Sequence, residues 1–228
     1  MTDRVHKSIL NAKVNLLFYF LTIFLSFFSR KIFLECLGTE FIGLTGTLGN
    51  ILGYLNLAEL GIGSCISFFL YKPLEQNNRE QIIEIMAVFK YLYRIIGSII
   101  FISGVIVSLS FPWIFTDTSF GLGLVYFAFF SFLGSALIEY FINYRQLLLA
   151  SDQKNYIVSS YLQTAQIIKT LVQIYLSYTF KNLYLWVGIE FLFGIIGCIL
   201  LNWKISKEYP WMKSDHHSGK LLLKKYPG

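Results

Sequence analysis

The chain has 228 residues, 55% of them hydrophobic and only 14% charged, with a mean hydropathy of +0.59. Soluble domains carry about 25% charged residues, so a soluble enzyme or binding module is excluded, and the useful count becomes the number of apolar runs of roughly 20 residues, enough to cross a hydrocarbon core. The net charge of +6 matters through its placement, because the basic residues form no clustered soluble face of the kind that binds nucleic acid.

Six such runs are predicted, over residues 14–35, 42–70, 84–113, 121–149, 156–179 and 184–203. The fold class read from them is an all-α membrane protein, a six-transmembrane-helix bundle over 1–203 followed by a basic cytoplasmic tail or linker over 204–228. The first run follows Arg4, Lys7 and Lys13 and meets Arg30-Lys31 with no small-residue cleavage site, so it reads as a signal anchor. Asn15, Tyr19, Thr22, Ser26 and Arg30 recur along it at helical spacing and share a face.

The second run carries Gly46, Gly49, Gly53, Asn56, Glu59 and Gly63, with Asn50 flanking that face. Small residues in such a row are expected to let another helix approach closely. The third offers Lys90, Arg94, Gly97, Gly104 and Ser108, and the fourth Ser131, Ser135, Glu139 and Asn143. The fifth has the longest stripe, Ser159, Gln163, Gln166, Thr170, Gln173 and Ser177, with Lys169 beside it, and the sixth has Glu190 before Gly194 and Gly197.

An ionised side chain at mid-bilayer costs about 2.5–3.5 kcal/mol on insertion scales. Arg30, Glu59, Glu139, Lys169 and Glu190 must therefore face each other or water. Interhelical hydrogen-bond seams and ion pairs answer part of that demand. Stripes on five helices point further, to a hydrated cavity between the spans. Counting Arg30, Lys31, Lys90, Arg94 and Lys169 against three glutamates leaves a surplus of two positive charges, which favours an anion. Dropping Lys31, Lys90 and Arg94 as interfacial reverses the sign.

Orientation follows from the loops. Arg4, Lys7, Lys13, Lys72, Arg79, Arg145, Lys154 and the lysines from Lys204 onward lie on one side, against Lys181, Arg30 and Lys31 on the other. Both termini are expected in the cytoplasm. The cysteines Cys36, Cys65 and Cys198 have no metal or redox spacing, and His6, His216 and His217 lie in the tails without a ligand frame. No catalytic residue, cofactor or metal is expected, which leaves a membrane-embedded transferase without its machinery.

The stretch Ser29-Arg30-Lys31-Ile32-Phe33, then Leu37-Gly38-Thr39-Glu40-Phe41-Ile42-Gly43-Leu44, Ile51-Leu52, Leu57-Ala58-Glu59-Leu60-Gly61-Ile62-Gly63-Ser64 and Tyr71-Lys72-Pro73-Leu74 resembles the amino-terminal region of bacterial polysaccharide and oligosaccharide flippases. These belong to the multidrug/oligosaccharidyl-lipid/polysaccharide exporter superfamily. The resemblance covers about residues 26–75, and the later spans match in character only.

It implies alternating-access transport of an anionic lipid-linked oligosaccharide across the bacterial inner membrane for surface polysaccharide assembly. It also implies twelve to fourteen helices, so the six spans are expected to be one half, completed by a carboxy-terminal half or a second copy. Substrate contacts are expected from Arg30, Lys31, Lys169, Asn50, Gln163 and Gln166. Glu59, Glu139 and Glu190 are expected to pair with cations or bind a coupling proton or sodium ion. Membrane lipids are the remaining partners. Competing readings are a multidrug exporter of the same superfamily and a non-transporting fragment or assembly subunit.

Overall fold

The computed structural model describes residues 2–59, 61–116 and 118–213, and among them every regular element is helical. Nine α-helices follow in order: α1 Thr2–Leu37, α2 Thr39–Leu55, α3 Ile62–Glu75, α4 Arg79–Ser108, α5 Phe111–Ile114, α6 Leu122–Phe141, α7 Gln146–Ser151, α8 Asn155–Phe180 and α9 Leu183–Glu208. Among the described residues four segments are long and apolar enough to cross a membrane: Val5–Leu37, Arg79–Ser108, Leu122–Phe141 and Leu183–Glu208. The chain thus has the makeup of a multi-pass membrane protein.

Six continuous spans are not what the helices show. The run over 42–70 is broken: α2 ends at Leu55, Asn56–Glu59 form a tight 3-10 turn, and α3 begins after Gly61. Gly61 has φ +88°, a left-handed conformation that a β-carbon disfavours. The run over 121–149 also divides, since α6 stops at Phe141 and a 3-10 turn over Asn143–Arg145 leads into the short α7. At 26 residues, α8 spans roughly 39 Å at helical rise, but its polar stripe keeps it outside the apolar set.

Other boundaries shift as well. The third predicted run becomes α4, which starts at Arg79, where the Asn78 side chain accepts from the Gln81 N–H at 3.2 Å and so satisfies one free donor of the first turn. The sixth predicted run extends past residue 203 to Glu208, followed by a 3-10 turn over Pro210–Lys213. The tail from 214 onward lies outside the described residues.

The long helices pack in the order α1, α8, α9, α6, α4, α3, and α2 lies against α6, α1 and α4. Phe111, Phe129 and Leu133 are buried between α4, α5 and α6, while Phe89 is buried nearer the start of α4 against Tyr93 and Tyr144. Close approach is set by Gly104, where a β-carbon would lie 2.8 Å from Leu133, and Gly134, where it would meet Phe191 at 2.9 Å. By contrast, α1 turns Phe20, Phe24 and Phe27 outward, as a helix facing lipid does.

One end of the bundle is tied by polar contacts. Asn11 of α1 donates to the Gln153 carbonyl at 2.9 Å and accepts from the Tyr156 N–H at 2.6 Å. One turn further along, Asn15 accepts from the Ser159 hydroxyl at 2.7 Å. Lys154 pairs with Asp152 at 2.9 Å and with Glu208 at 3.0 Å, Lys7 pairs with Asp152 at 3.7 Å, and the Tyr209 hydroxyl donates to Asp152 at 2.8 Å.

Candidate functional site

The polar faces of α1 and α8 converge on a cleft of about 580 Å³ in the half of the bundle nearer the α1–α2 turn. Thr22, Ser26 and Arg30 come from α1, spaced by one helical turn each. Gln166, Lys169, Thr170 and Gln173 come from α8. Helix α2 supplies Thr45, Gly46 and Gly49, and α9 supplies Trp186 and Glu190.

The glycine row of α2 does not receive a helix. An added β-carbon at Gly43, Gly46, Gly49 or Gly53 would meet nothing within 4 Å. The expected close packing is therefore absent among the described residues. The reason lies on the opposite face, where Phe41, Leu44, Leu48 and Leu52 are buried against the bundle and turn the glycines toward the open side.

The electrostatic centre of the cleft is the ion pair of Lys169 with Glu190. Lys169 is 5% exposed and Gln173 2% exposed. The Gln173 amide donates to the second Glu190 oxygen at 3.0 Å and to the Trp186 carbonyl at 3.1 Å. Burying an ammonium is tolerable only with such a partner. Arg30, in contrast, is exposed in the cleft and makes no ion pair among the described residues. With Arg30 and Lys169 positive and Glu190 negative, the lining has a formal charge of +1.

Aromatic rings close the cleft near the α1–α2 turn. Trp186 meets Phe33 of α1 at 5.7 Å and Phe41 of α2 at 5.5 Å between ring centroids, both edge to face. The Trp186 indole nitrogen and the Thr22 hydroxyl are buried without a hydrogen-bond partner, so the cleft presents unspent polar atoms as well as charge.

The remaining residues expected at the site lie elsewhere. Lys31 is well exposed, pairs with Glu35 one turn on at 3.9 Å and does not line the cleft. Asn50 is exposed on α2 and Gln163 is half-buried on α8, both off the lining. Glu139 lines an adjoining cavity of about 310 Å³ that shares Gln166, Lys169 and Glu190 with the cleft.

Glu59 sits in the turn between α2 and α3. It accepts from the Tyr93 hydroxyl and, at 2.8 Å, from that of Tyr140. Nothing in the spacing marks these two tyrosines, since each arrives from a helix distant in sequence. Trp186 stands one turn before Glu190 on α9, a spacing that puts both on one face.

No family model, curated protein or solved structure matches the chain.

Proposed function

We propose that the chain carries an anionic lipid-linked oligosaccharide across the bacterial inner membrane, by alternating access, for surface polysaccharide biosynthesis. One observation carries the reading. Among helices of membrane length, a cleft whose largely apolar wall carries a polar stripe holds the guanidinium of Arg30 without a carboxylate partner among the described residues. A cation in a wet cleft bounded by apolar helices attracts anions strongly, and a guanidinium matches phosphate oxygens two at a time.

In this mechanism Arg30 holds the phosphate end, while Thr22, Ser26, Gln166 and Thr170 offer hydrogen bonds to sugar hydroxyls. Lys169 is committed to Glu190, so it acts through the field of the pair. Glu139 makes no ion pair among the described residues and adjoins the cleft, which makes it the carboxylate best placed for a coupling proton or sodium ion.

Six crossings are then made by α1, the α2–α3 pair, α4, α6, α8 and α9. The gathering of Lys7, Lys154 and Lys204 at one end, with Lys181 at the end of α8, supports cytoplasmic termini. The missing wall of the cavity comes from a carboxy-terminal half or a second copy of this bundle.

The test is export of labelled lipid-linked sugar by inner-membrane vesicles holding the full-length protein. Arg30→Ala is expected to abolish export and Arg30→Lys to retain part of it; full export by Arg30→Ala removes the proposal. One feature favours drug export instead, because Glu59 between Tyr93 and Tyr140 gives the acidic, aromatic surroundings that organic cations prefer. Efflux of a fluorescent organic cation, lost in Glu59→Gln, would select that reading.

A further inference from the structure

Helix α2 walls the cleft through Thr45, Gly46 and Gly49, and little along its length holds it there. Phe41, Leu44, Leu48 and Leu52 are buried on one edge, while the glycine edge meets nothing. The Thr45 and Thr47 hydroxyls bond back to carbonyls of their own helix. Between its ends, α2 makes no side-chain hydrogen bond to another helix among the described residues. At its start, Glu40 accepts from the Ser119 hydroxyl. At its finish the backbone passes through the 3-10 turn Asn56–Glu59 and the left-handed Gly61, and α3 begins at Ile62. A few residues between two elements are where backbone rotation tilts one helix against the next.

The polar contacts return at that turn. One Glu59 oxygen accepts from the Tyr93 hydroxyl of α4, the other from the Tyr140 hydroxyl of α6 at 2.8 Å. The same Tyr140 oxygen lies 3.4 Å from the Asn56 side-chain oxygen, so both polar residues of the turn meet one phenol. Tyr93 and Tyr140 are 7% and 4% exposed, with ring centroids 5.4 Å apart. Packing therefore fixes the two donors, and the carboxylate comes to them. Hydrogen bonds to an ionised acceptor are roughly twice as strong as neutral ones. Two of them converge on one residue, in a stretch whose Tyr54 and Leu57 are exposed.

We infer that Glu59 is a clasp. Gripped by the phenols of Tyr93 and Tyr140, it fastens the finish of α2 to the α4–α6 seam and thereby sets the width of the cleft. The clasp concerns the shape of the cleft and holds for any cargo, so its test reads a distance and is independent of transport.

Spin labels at Tyr54→Cys on α2 and Thr164→Cys on α8, both exposed positions, report that width by double electron–electron resonance. The full chain is used in lipid nanodiscs, with Cys36, Cys65 and Cys198 replaced by Ala. Tyr93→Phe/Tyr140→Phe is expected to broaden the distance distribution and shift its maximum. Glu59→Ala, which removes the acceptor instead of the donors, is expected to give the same change. Tyr126→Phe removes a phenol that donates to the Ser108 carbonyl elsewhere on the α4–α6 seam, and is expected to match wild type. A second label pair, Phe24→Cys on α1 and Leu200→Cys on α9, both exposed, is expected to keep its distance in every variant. An unchanged Tyr54–Thr164 distance in the double variant or in Glu59→Ala overturns the clasp. So does an equal change in Tyr126→Phe, or an equal change between the Phe24 and Leu200 labels, since either would mean a general loosening of the bundle.

Discussion

Lys169 and Glu190 face each other across the α8–α9 seam, and Gln173, one turn beyond Lys169, holds the carboxylate from its other side. The ammonium is the more deeply buried partner, so removing the carboxylate strands a charge in an apolar wall. Glu190→Leu is expected to destabilise the chain by about 3–5 kcal/mol, while the double variant Lys169→Met/Glu190→Leu recovers most of that loss. Thermal unfolding in detergent micelles, analysed as a double-mutant cycle, measures the coupling. Additive losses would mean that the two residues do not depend on each other.

Glu59 depends on phenol donors in place of a cation. Tyr140→Phe leaves one carboxylate oxygen without its 2.8 Å donor and is expected to cost about 1.5–3 kcal/mol, the range for hydrogen bonds to charged groups. In a Glu59→Gln background the same substitution is expected to cost distinctly less. Equal costs in the two backgrounds would remove the carboxylate from the account.

Glycines with neighbours and glycines without them are expected to respond in opposite directions. Gly104→Ala drives a β-carbon to within 2.8 Å of buried Leu133, and overpacking of this kind costs about 1–3 kcal/mol. Gly49→Ala meets open space and is expected to raise stability by about 0.5–1 kcal/mol, the helix preference of Ala over Gly. Melting temperatures of the two variants decide the point. Gly49→Leu is expected to narrow the cleft and reduce export while the fold stands.

Stability is expected to fall steeply on the alkaline side. Burial pulls the Lys154 ammonium down, but its hydrogen bonds and charge contacts with Asp152 and Glu208 outweigh this and hold it above the usual lysine range. Burial first, then the Asp152 charge, holds the Tyr209 hydroxyl above the usual phenol range. Both groups keep their protons longer when folded. Their stabilisation is complete below the unfolded values and disappears as pH rises through the folded ones. Tyr209→Phe is expected to flatten the decline of melting temperature above about pH 10, the ordinary phenol value, and Lys154→Met to flatten it further.

Spacing placed Thr22, Ser26 and Arg30, like Gln166, Thr170 and Gln173, on one face of each helix, and these line the cleft, whereas Tyr19 and Gln163 of the same stripes do not. Periodicity is a property of one helix, so it could not say what stands opposite. The α2 glycines look like a packing face and instead border open space. Lys31 belongs by composition with Arg30, yet one residue along a helix is about 100° around it, and that rotation carries Lys31 away from the cleft to Glu35. The break between α2 and α3 had its signal in Gly61 and Gly63, which the hydropathy of the surrounding residues masked. The tyrosine partners of Glu59 had none, since their meeting depends on how α4 and α6 pack.

The two walls of the cleft are anchored unequally. Helix α1 is stapled to the start of α8 through Asn11 and Asn15. Helix α2 is fastened along a single apolar edge and is free along its glycine edge. If the proposed transport holds, widening of the cleft is expected as a swing of α2 against α1 and α8.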